Sequence, residues 1–313
     1  GCHAVDTPIM MSDGSLKMVQ DIQVGDFLMG SNSELRKVIQ LIRGNGNLYA
    51  VTPTKGKHFT VNEDHVLSIQ TNRVRGSLKR SRLCTVNMTV KEVLARGKSF
   101  LRSSWLYRVG VEFLYTPVAL DPYFLGVWLG NGVHSHPTVT TQDQEVVEYL
   151  EEFSGQYPET ELVCFDKNEG NKAKDYKIAL LSKHPGKGNY NPVTSLLKSI
   201  GVFKNKHIPT EYLTNDSNTR LRLLAGLLDT DGHLSKNYFE FCSKSDRMAY
   251  DVAYLSRSLG FGAYVSSRMV KSEFISEPRM YWRVSISGDV DRIPTKVQRK
   301  QAHVRRISKN VLR

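Results

Sequence analysis

Up to about Pro117 the apolar residues fall in short runs, Thr7–Met11, Lys17–Val19, Phe27–Met29, Leu48–Thr52, His58–Val61 and Val66–Gln70. Turn-forming residues part them, Ser12-Asp13-Gly14-Ser15 and Gly25-Asp26 among them. Short strands at that spacing predict an all-β domain. A basic, turn-rich stretch from Arg73 to Arg82 interrupts the strands, either a solvated loop or an arm that touches phosphate. Beyond Pro117 the period changes. Asp143–Phe153 carries Val146, Val147, Leu150 and Phe153, and Asp246–Leu259 carries Met248, Val252, Leu255 and Leu259. Three- and four-residue spacing predicts two helices, each with one buried face. Strand patterns at Thr138–Thr141, Glu161–Phe165, Tyr176–Leu181, Tyr238–Cys242, Ala263–Arg268 and Tyr281–Ser287 make this region α+β. From Asp291 onward eight Lys and Arg stand against one acid with little apolar period, which predicts a basic linker over 291–313.

The α+β region repeats itself. Leu125-Gly-Val-Trp-Leu-Gly-Asn-Gly132 aligns with Ala225-Gly-Leu-Leu-Asp-Thr-Asp-Gly232, one hundred positions later. Each copy is followed by a strand and then by one of the two amphipathic helices, so the region reads as a pseudo-two-fold duplication. Small residues, Gly126 and Gly130 in one copy and Ala225, Gly226 and Asp229 in the other, let two helix backbones approach closely. Asn131 and Asp231 would then sit side by side at the foot of the pair. Paired carboxylates at such a place would hold a divalent metal and act on two nearby phosphates.

Composition narrows the partners. The 313 residues are enough for two or more domains. Lys and Arg number 43 against 31 Asp and Glu, a net charge of +12, which favours a polyanion, nucleic acid first. With 40% hydrophobic and 24% charged residues and no apolar run near eighteen, a disordered tail, a membrane span and a secretory signal are excluded as readings. Cys2, Cys84, Cys164 and Cys242 show neither a disulfide framework nor zinc spacing. An intracellular, reducing compartment is expected, cytoplasm or nucleus according to the host protein.

Leu224-Ala-Gly-Leu-Leu-Asp-Thr-Asp-Gly232 resembles, nearly letter for letter, the LAGLIDADG motif of homing endonucleases. Asp121-Pro-Tyr-Phe-Leu-Gly-Val-Trp-Leu-Gly-Asn-Gly132 resembles its first copy as found in inteins. The resemblance covers about 118–290, with repeats 118–205 and 206–290. It implies two αββαββα units whose motif helices form the interface and whose four-stranded sheets lie in the major groove of double-stranded DNA with a long recognition site. It also implies Mg²⁺, or another divalent metal, at Asp231 and at a degenerate Asn131. Lys206, twenty-five positions before Asp231, is similar to the catalytic lysine of these enzymes, and Arg279 stands where the second lysine is expected. Arginine does not titrate and handles protons poorly. The site of Asn131 and Arg279 is therefore expected to be impaired and that of Asp231 and Lys206 intact. DNA contacts are expected from Arg73, Arg75, Lys79, Arg80, Arg82, Arg268, Lys271 and Arg283 in an internally pseudo-symmetric monomer.

Residues 1–117 resemble the Hint splicing domain of inteins, a horseshoe-like all-β fold. Cys2 to Ser15 with Val19 to Gly30 is similar to the opening block, and Phe59-Thr-Val-Asn-Glu-Asp-His65 to the second block. A cysteine here can attack the carbonyl of Gly1 and turn an amide into a thioester. A free thiol titrates near about 8.5, so it needs a positioned partner at neutral pH. His65 would protonate the departing nitrogen, while Asn62 and Asp64 hold the scissile peptide or stabilise the oxyanion. Asn62 stands where the family usually has Thr, a substitution that resembles the yeast vacuolar-ATPase type of intein. The resemblance implies flanking host-protein segments as partners and no cofactor for splicing. It also implies C-terminal Hint strands ending in His-Asn, which the chain's close, Ser308-Lys-Asn-Val-Leu-Arg313, does not show. Those strands are expected from a second chain, or to have been cut off or lost. Two alternatives are a degenerate LAGLIDADG binding protein or maturase without catalysis, for which Cys2 and its block have no use, and a hedgehog-like autoprocessing domain, which lacks the duplicated insert.

Overall fold

A computed structural model describes residues 1–74, 81–166, 172–181, 190–271, 277–303 and 311–312. The chain divides into two compact units, Gly1–Phe113 with the terminal segment from Arg306, and Leu114–Arg305.

The first unit is built from strands β1 (Pro8–Met10), β2 (Leu16–Met18), β3 (Phe27–Met29), β4 (Leu35–Lys37), β5 (Leu48–Val51), β6 (Phe59–Asn62), β7 (Val66–Val74) and β8 (Ser81–Thr89), helices α1 (Val90–Ala95) and α2 (Gly97–Arg102), and strand β9 (Ser104–Tyr107). Antiparallel pairs β1–β2, β3–β4 and β5–β6 accompany a sheet in which β7 lies between β8 and β9, and the strand Val311–Leu312 pairs with β9. Asp13 makes the first turn by accepting from the Ser15 amide at 2.9 Å and hydroxyl at 2.7 Å. Gly25 takes φ +98°, a left-handed conformation that only glycine adopts without strain. Val61, Leu67, Ile69, Val90 and Val93 form the small core.

Two features differ from the strand pattern. Thr89 and Glu92 close a capping box, with the Thr89 hydroxyl accepting from the Glu92 amide and the Glu92 carboxylate from the Thr89 amide, and this starts α1 where only strands were expected. The Arg73–Arg82 stretch joins two long paired strands, with Arg73 opposite Arg82. Arg75, Lys79 and Arg80, and the side chains of Arg73 and Arg82, lie outside the described residues.

The second unit contains α3 (Pro122–Asn131), β10 (Thr138–Thr141), α4 (Gln144–Ser154), β11 (Thr160–Phe165), β12 (Lys174–Leu180), α5 (Pro192–Ser199), α6 (Thr210–Leu213), α7 (Ser217–Asp231), β13 (Gly232–Ser235), β14 (Tyr238–Ser243), α8 (Asp246–Ser258), β15 (Gly262–Val270) and β16 (Arg279–Ser287). Helix α3 is apolar around its circumference and α7 through 223–228, and both lie at the centre of one continuous core. Amphipathic α4 and α8 bury Val146, Leu150 and Phe153, and Met248, Val252 and Leu255, against it. The second repeat has a four-stranded sheet, order β13-β14-β16-β15. In the first, the described strands number three, β10-β12-β11, and the remaining one shrinks to a single bridge between Gly132 and Val139. Pro137, which closes that connection, has no amide hydrogen to extend a ladder.

Over residues 291–303 the expected linker is folded. Val290–Arg292 and Gln298–Lys300 form 3-10 turns, and Ile293, Val297 and Lys300 are buried against the second unit. Apolar residues spaced along an otherwise basic stretch anchor it there.

Gly126 and Gly226, one hundred positions apart, mark the crossing of α3 and α7. A Cβ on Gly226 would meet the Tyr123 carbonyl oxygen and stand 2.8 Å from the Val127 nitrogen, and one on Gly126 would meet the Leu223 carbonyl oxygen. Both obstacles are backbone, so Gly226→Ala must push the helices apart. It is expected to cost on the order of 3 kcal/mol of stability, read as a lower denaturant midpoint of the second unit's transition. An unchanged midpoint would contradict this packing.

Candidate functional site

Residues 2–4 run antiparallel to β6. The Asn62 amide donates to the Cys2 carbonyl at 3.0 Å, the Ala4 amide to the Thr60 carbonyl at 2.9 Å, and His3 bridges Val61. The Cys2 amide in turn donates to the Asn62 side-chain oxygen at 2.8 Å. Asn62 therefore holds the nitrogen of the Gly1–Cys2 peptide by accepting from it. The half-buried Cys2 thiol has the Ile42 carbonyl 3.9 Å from Sγ. A tight turn, in which the His65 amide donates to the Asn62 carbonyl at 3.2 Å, brings His65 back beside residue 1. A Cβ on Gly1 would stand 2.7 Å from the Asp64 carbonyl carbon and closer still to the His65 backbone. Burial, then the chain's amino group, lowers the His65 pKa, and a hydrogen bond to the Gly1 backbone works the other way. Asp64 is exposed in the same turn.

The second site lies where α3 and α7 end together. A helix end presents carbonyls carrying partial negative charge, and an ammonium has three donors to give them. Lys206 bonds the carbonyls of Leu129 at 3.0 Å, Gly130 at 3.2 Å and Gly132 at 2.7 Å. Lys300 does the same for the other helix, reaching Leu228 at 2.9 Å, Asp229 at 2.8 Å and Thr230 at 3.1 Å. The two lysines are thus structural counterparts across the pseudo-two-fold axis. Arg279, the residue expected from the sequence, is instead exposed at the first position of β16, paired with Val270. Sequence reasoning missed Lys300 because it sits in the stretch taken for a linker.

The two acids of the second motif do different work. Asp229 is 1% exposed and accepts from the Tyr123 hydroxyl at 2.7 Å and the Lys296 amide at 2.6 Å, so its carboxylate is occupied in packing. Asp231 is solvent-exposed at the end of α7, and a Cβ on Gly130 would come within 3.7 Å of its carboxyl carbon. Dense protein around Asp231 pushes its carboxyl pKa up, while Lys206 and then Lys300 draw it down. Burial pushes Lys206 down to about 8, with the Asp231 charge opposing, and burial lowers Lys300 as well. Burial thus works against both charges, while the attraction between Asp231 and Lys206 works for them. Asn131, exposed at the end of α3, holds the place of the second acid. Among the described residues no three His, Cys, Asp or Glu gather as a dedicated metal cage.

On the second repeat's sheet, Phe239, Phe241, Val284 and Ile286 face the core. Arg268 and Arg283 stand on the opposite face, Arg283 paired with Glu240 at 3.2 Å. Lys271 follows β15 and is exposed.

Residues 2–93 match the family model for the Hom_end-associated Hint domain, and residues 218–312 that for the LAGLIDADG-like domain. Over 97% of its length the chain is 27% identical to the replicative DNA helicase DnaB of Mycobacterium intracellulare, and it spans 50% of that protein. It is 34% identical over 83 residues to the catalytic subunit of the V-type proton ATPase of Candida tropicalis, 8% of that protein. Among solved structures, the homing endonuclease I-DmoI in complex with DNA and Ca aligns with a TM-score of 0.38 at 9% identity, covering 54% of this chain and 83% of that one. The complex with DNA and Mn aligns with the same score at 8% identity, covering 54% and 89%.

Proposed function

We propose that this chain, which carries a homing-endonuclease-associated Hint domain and a LAGLIDADG-like domain, is an intein whose first unit starts protein splicing at Cys2 and whose second unit nicks double-stranded DNA. In the first unit, the Cys2 sulfur bonds to the Gly1 carbonyl carbon and the Gly1–Cys2 C–N bond breaks. The thiol proton is released, and the departing nitrogen gains one from His65. Asn62 fixes that nitrogen in place while this happens.

In the second unit, the observation that carries the reading is the foot of the motif helices. One exposed carboxylate, Asp231, stands between two lysines that each cap a helix end, opposite the amide Asn131. A divalent cation, Mg²⁺ in this reading, fits such a site, because it needs only one or two carboxylates and completes its shell with substrate phosphates and water. Asp231 would hold it with full charge and Asn131 with a neutral oxygen. Such an ion polarises a phosphoryl oxygen and acidifies bound water. Lys206, held beside Asp231 with its pKa lowered to about 8, can shed a proton and free its lone pair from the carbonyls, and as the neutral amine it orients the attacking water and takes up its proton. By pseudo-symmetry Lys300 serves the same purpose beside Asn131, so the weaker site lacks only its carboxylate. Arg268, Lys271 and Arg283 supply phosphate and base contacts on the sheet.

The test is a supercoiled plasmid carrying the uninterrupted insertion site, incubated with the full chain and Mg²⁺. Nicked circles should accumulate well ahead of linear product. Linearisation keeping pace with nicking would overturn the asymmetry.

A further inference from the structure

The acyl shift uses His65 and leaves its neighbour, His3, without a part. The two rings meet edge to face, centroids 4.4 Å apart and planes at 63°. Each has a buried Nδ1 with no hydrogen-bond partner. A buried imidazole nitrogen left unpaired is costly and calls for an explanation. Nor is the contact loose, because the Cys2 and Ala4 bonds to β6 and the His3–Val61 bridge fix His3 from both sides.

Two imidazolium rings at that separation, half-buried, would repel strongly. The groups that could relieve the repulsion lie on the elements packed around the pair. These are Glu63 and Asp64 in the turn that carries His65, and Glu92 in α1, whose first amide donates to the His65 carbonyl, while Lys91 in α1 adds positive charge. The amino group of Gly1 adds a further positive charge in the free chain, which becomes a neutral amide when a protein precedes it. Burial, then the charge of His65, lowers the pKa of His3. A proton on His65 therefore disfavours one on His3.

We propose that His3 is a positioning residue for His65, whose ring holds the His65 ring against the Gly1–Cys2 peptide and lets the pair carry one proton but not two. In acid, a second proton separates the rings and stops the acyl shift. His3 contributes no atom or electron to the reaction. The inference rests on the reading of Cys2 as nucleophile and His65 as acid.

The test uses the full chain fused behind a reporter protein whose last residue is Gly1, with thiol-induced release of the reporter followed from pH 5 to 8. Every variant shares the loss of thiolate in acid, so the informative quantity is a ratio of rates. His3→Phe keeps an edge-to-face ring that cannot charge. It should cleave within about threefold of the parent chain at pH 7.5 and at least tenfold faster than it at pH 5.5, below the ordinary histidine range near 6.5. His3→Ala removes the support and should lose at least tenfold throughout, with His3→Phe as the rescue. Parallel profiles for the parent and His3→Phe would overturn the inference alone, whereas thiol-dependent release from Cys2→Ala would overturn the underlying reading with it. A second readout needs no cleavage. By NMR of the full chain His3 and His65 should titrate as a coupled pair, and His65 should follow one simple curve in His3→Phe; independent titrations would also overturn the inference.

Discussion

With asparagine at position 231, DNA nicking is expected to fall on the order of a thousandfold or more. Asp231 is the only motif carboxylate left exposed where α3 and α7 end, since Asp229 is committed to Tyr123 and Lys296. Removing its charge forfeits metal-mediated stabilisation worth several kcal/mol, and each 1.4 kcal/mol or so is a factor of ten in rate. The amide is nearly the same size, and the dense protein around this place already disfavours the charged carboxylate. The fold and the affinity for DNA measured without metal should therefore survive, which separates a catalytic loss from an unfolded protein. The converse substitution, Asn131→Asp, restores a carboxylate to a helix end whose counterpart lysine is in place. It should turn nicked circles into linear product. Nicking that persists in Asp231→Asn would remove Asp231 from catalysis, and failure of Asn131→Asp to linearise would place a further defect in that half.

The motif helices were legible because two properties coincide in them. Each carries an apolar run, 122–129 in α3 and 223–228 in α7, and their small residues recur at the same offset, so that Gly126 and Gly226 meet at the crossing. The amphipathic helices were equally plain, since a single buried face leaves a three-and-four period. Lys300 was hidden for the opposite reason. Its role depends on a contact with residues about seventy positions earlier in α7, and no local period reports such a contact. The duplication held the clue, because a lysine that caps α3 implies one that caps α7. Arg279 had the right charge in the right strand, but strand position does not place a side chain at a helix end. Helix α1 was readable from Thr89-Val-Lys-Glu92, a capping-box spacing overshadowed by the surrounding strand pattern. In the first unit Asn62 was expected to hold the peptide or donate to an oxyanion. Its side-chain oxygen accepts from Cys2, a polarity that an amide residue in a sequence does not reveal.

That polarity makes the second large effect specific. In the reporter fusion, Cys2→Ala is expected to abolish thiol-dependent release altogether, because no other nucleophile adjoins the Gly1 carbonyl in the primary sequence. His65→Ala should slow release by about 10²- to 10⁴-fold, the usual worth of a positioned general acid. Asn62 lies against the same nitrogen, yet its oxygen is already an acceptor there, so it orients the leaving group without being able to protonate it. His65 has a depressed pKa in the folded chain, so the proton it holds is more readily given up than that of an exposed histidine. The two substitutions should therefore differ in kind. Asn62→Ala loses orientation and is expected to slow release by about tenfold with an unaltered pH profile. His65→Ala should flatten that profile, leaving only the thiol's own titration. Were Asn62→Ala to flatten it too, the proton would have to travel through the Asn62 amide, and His65 would no longer be its source.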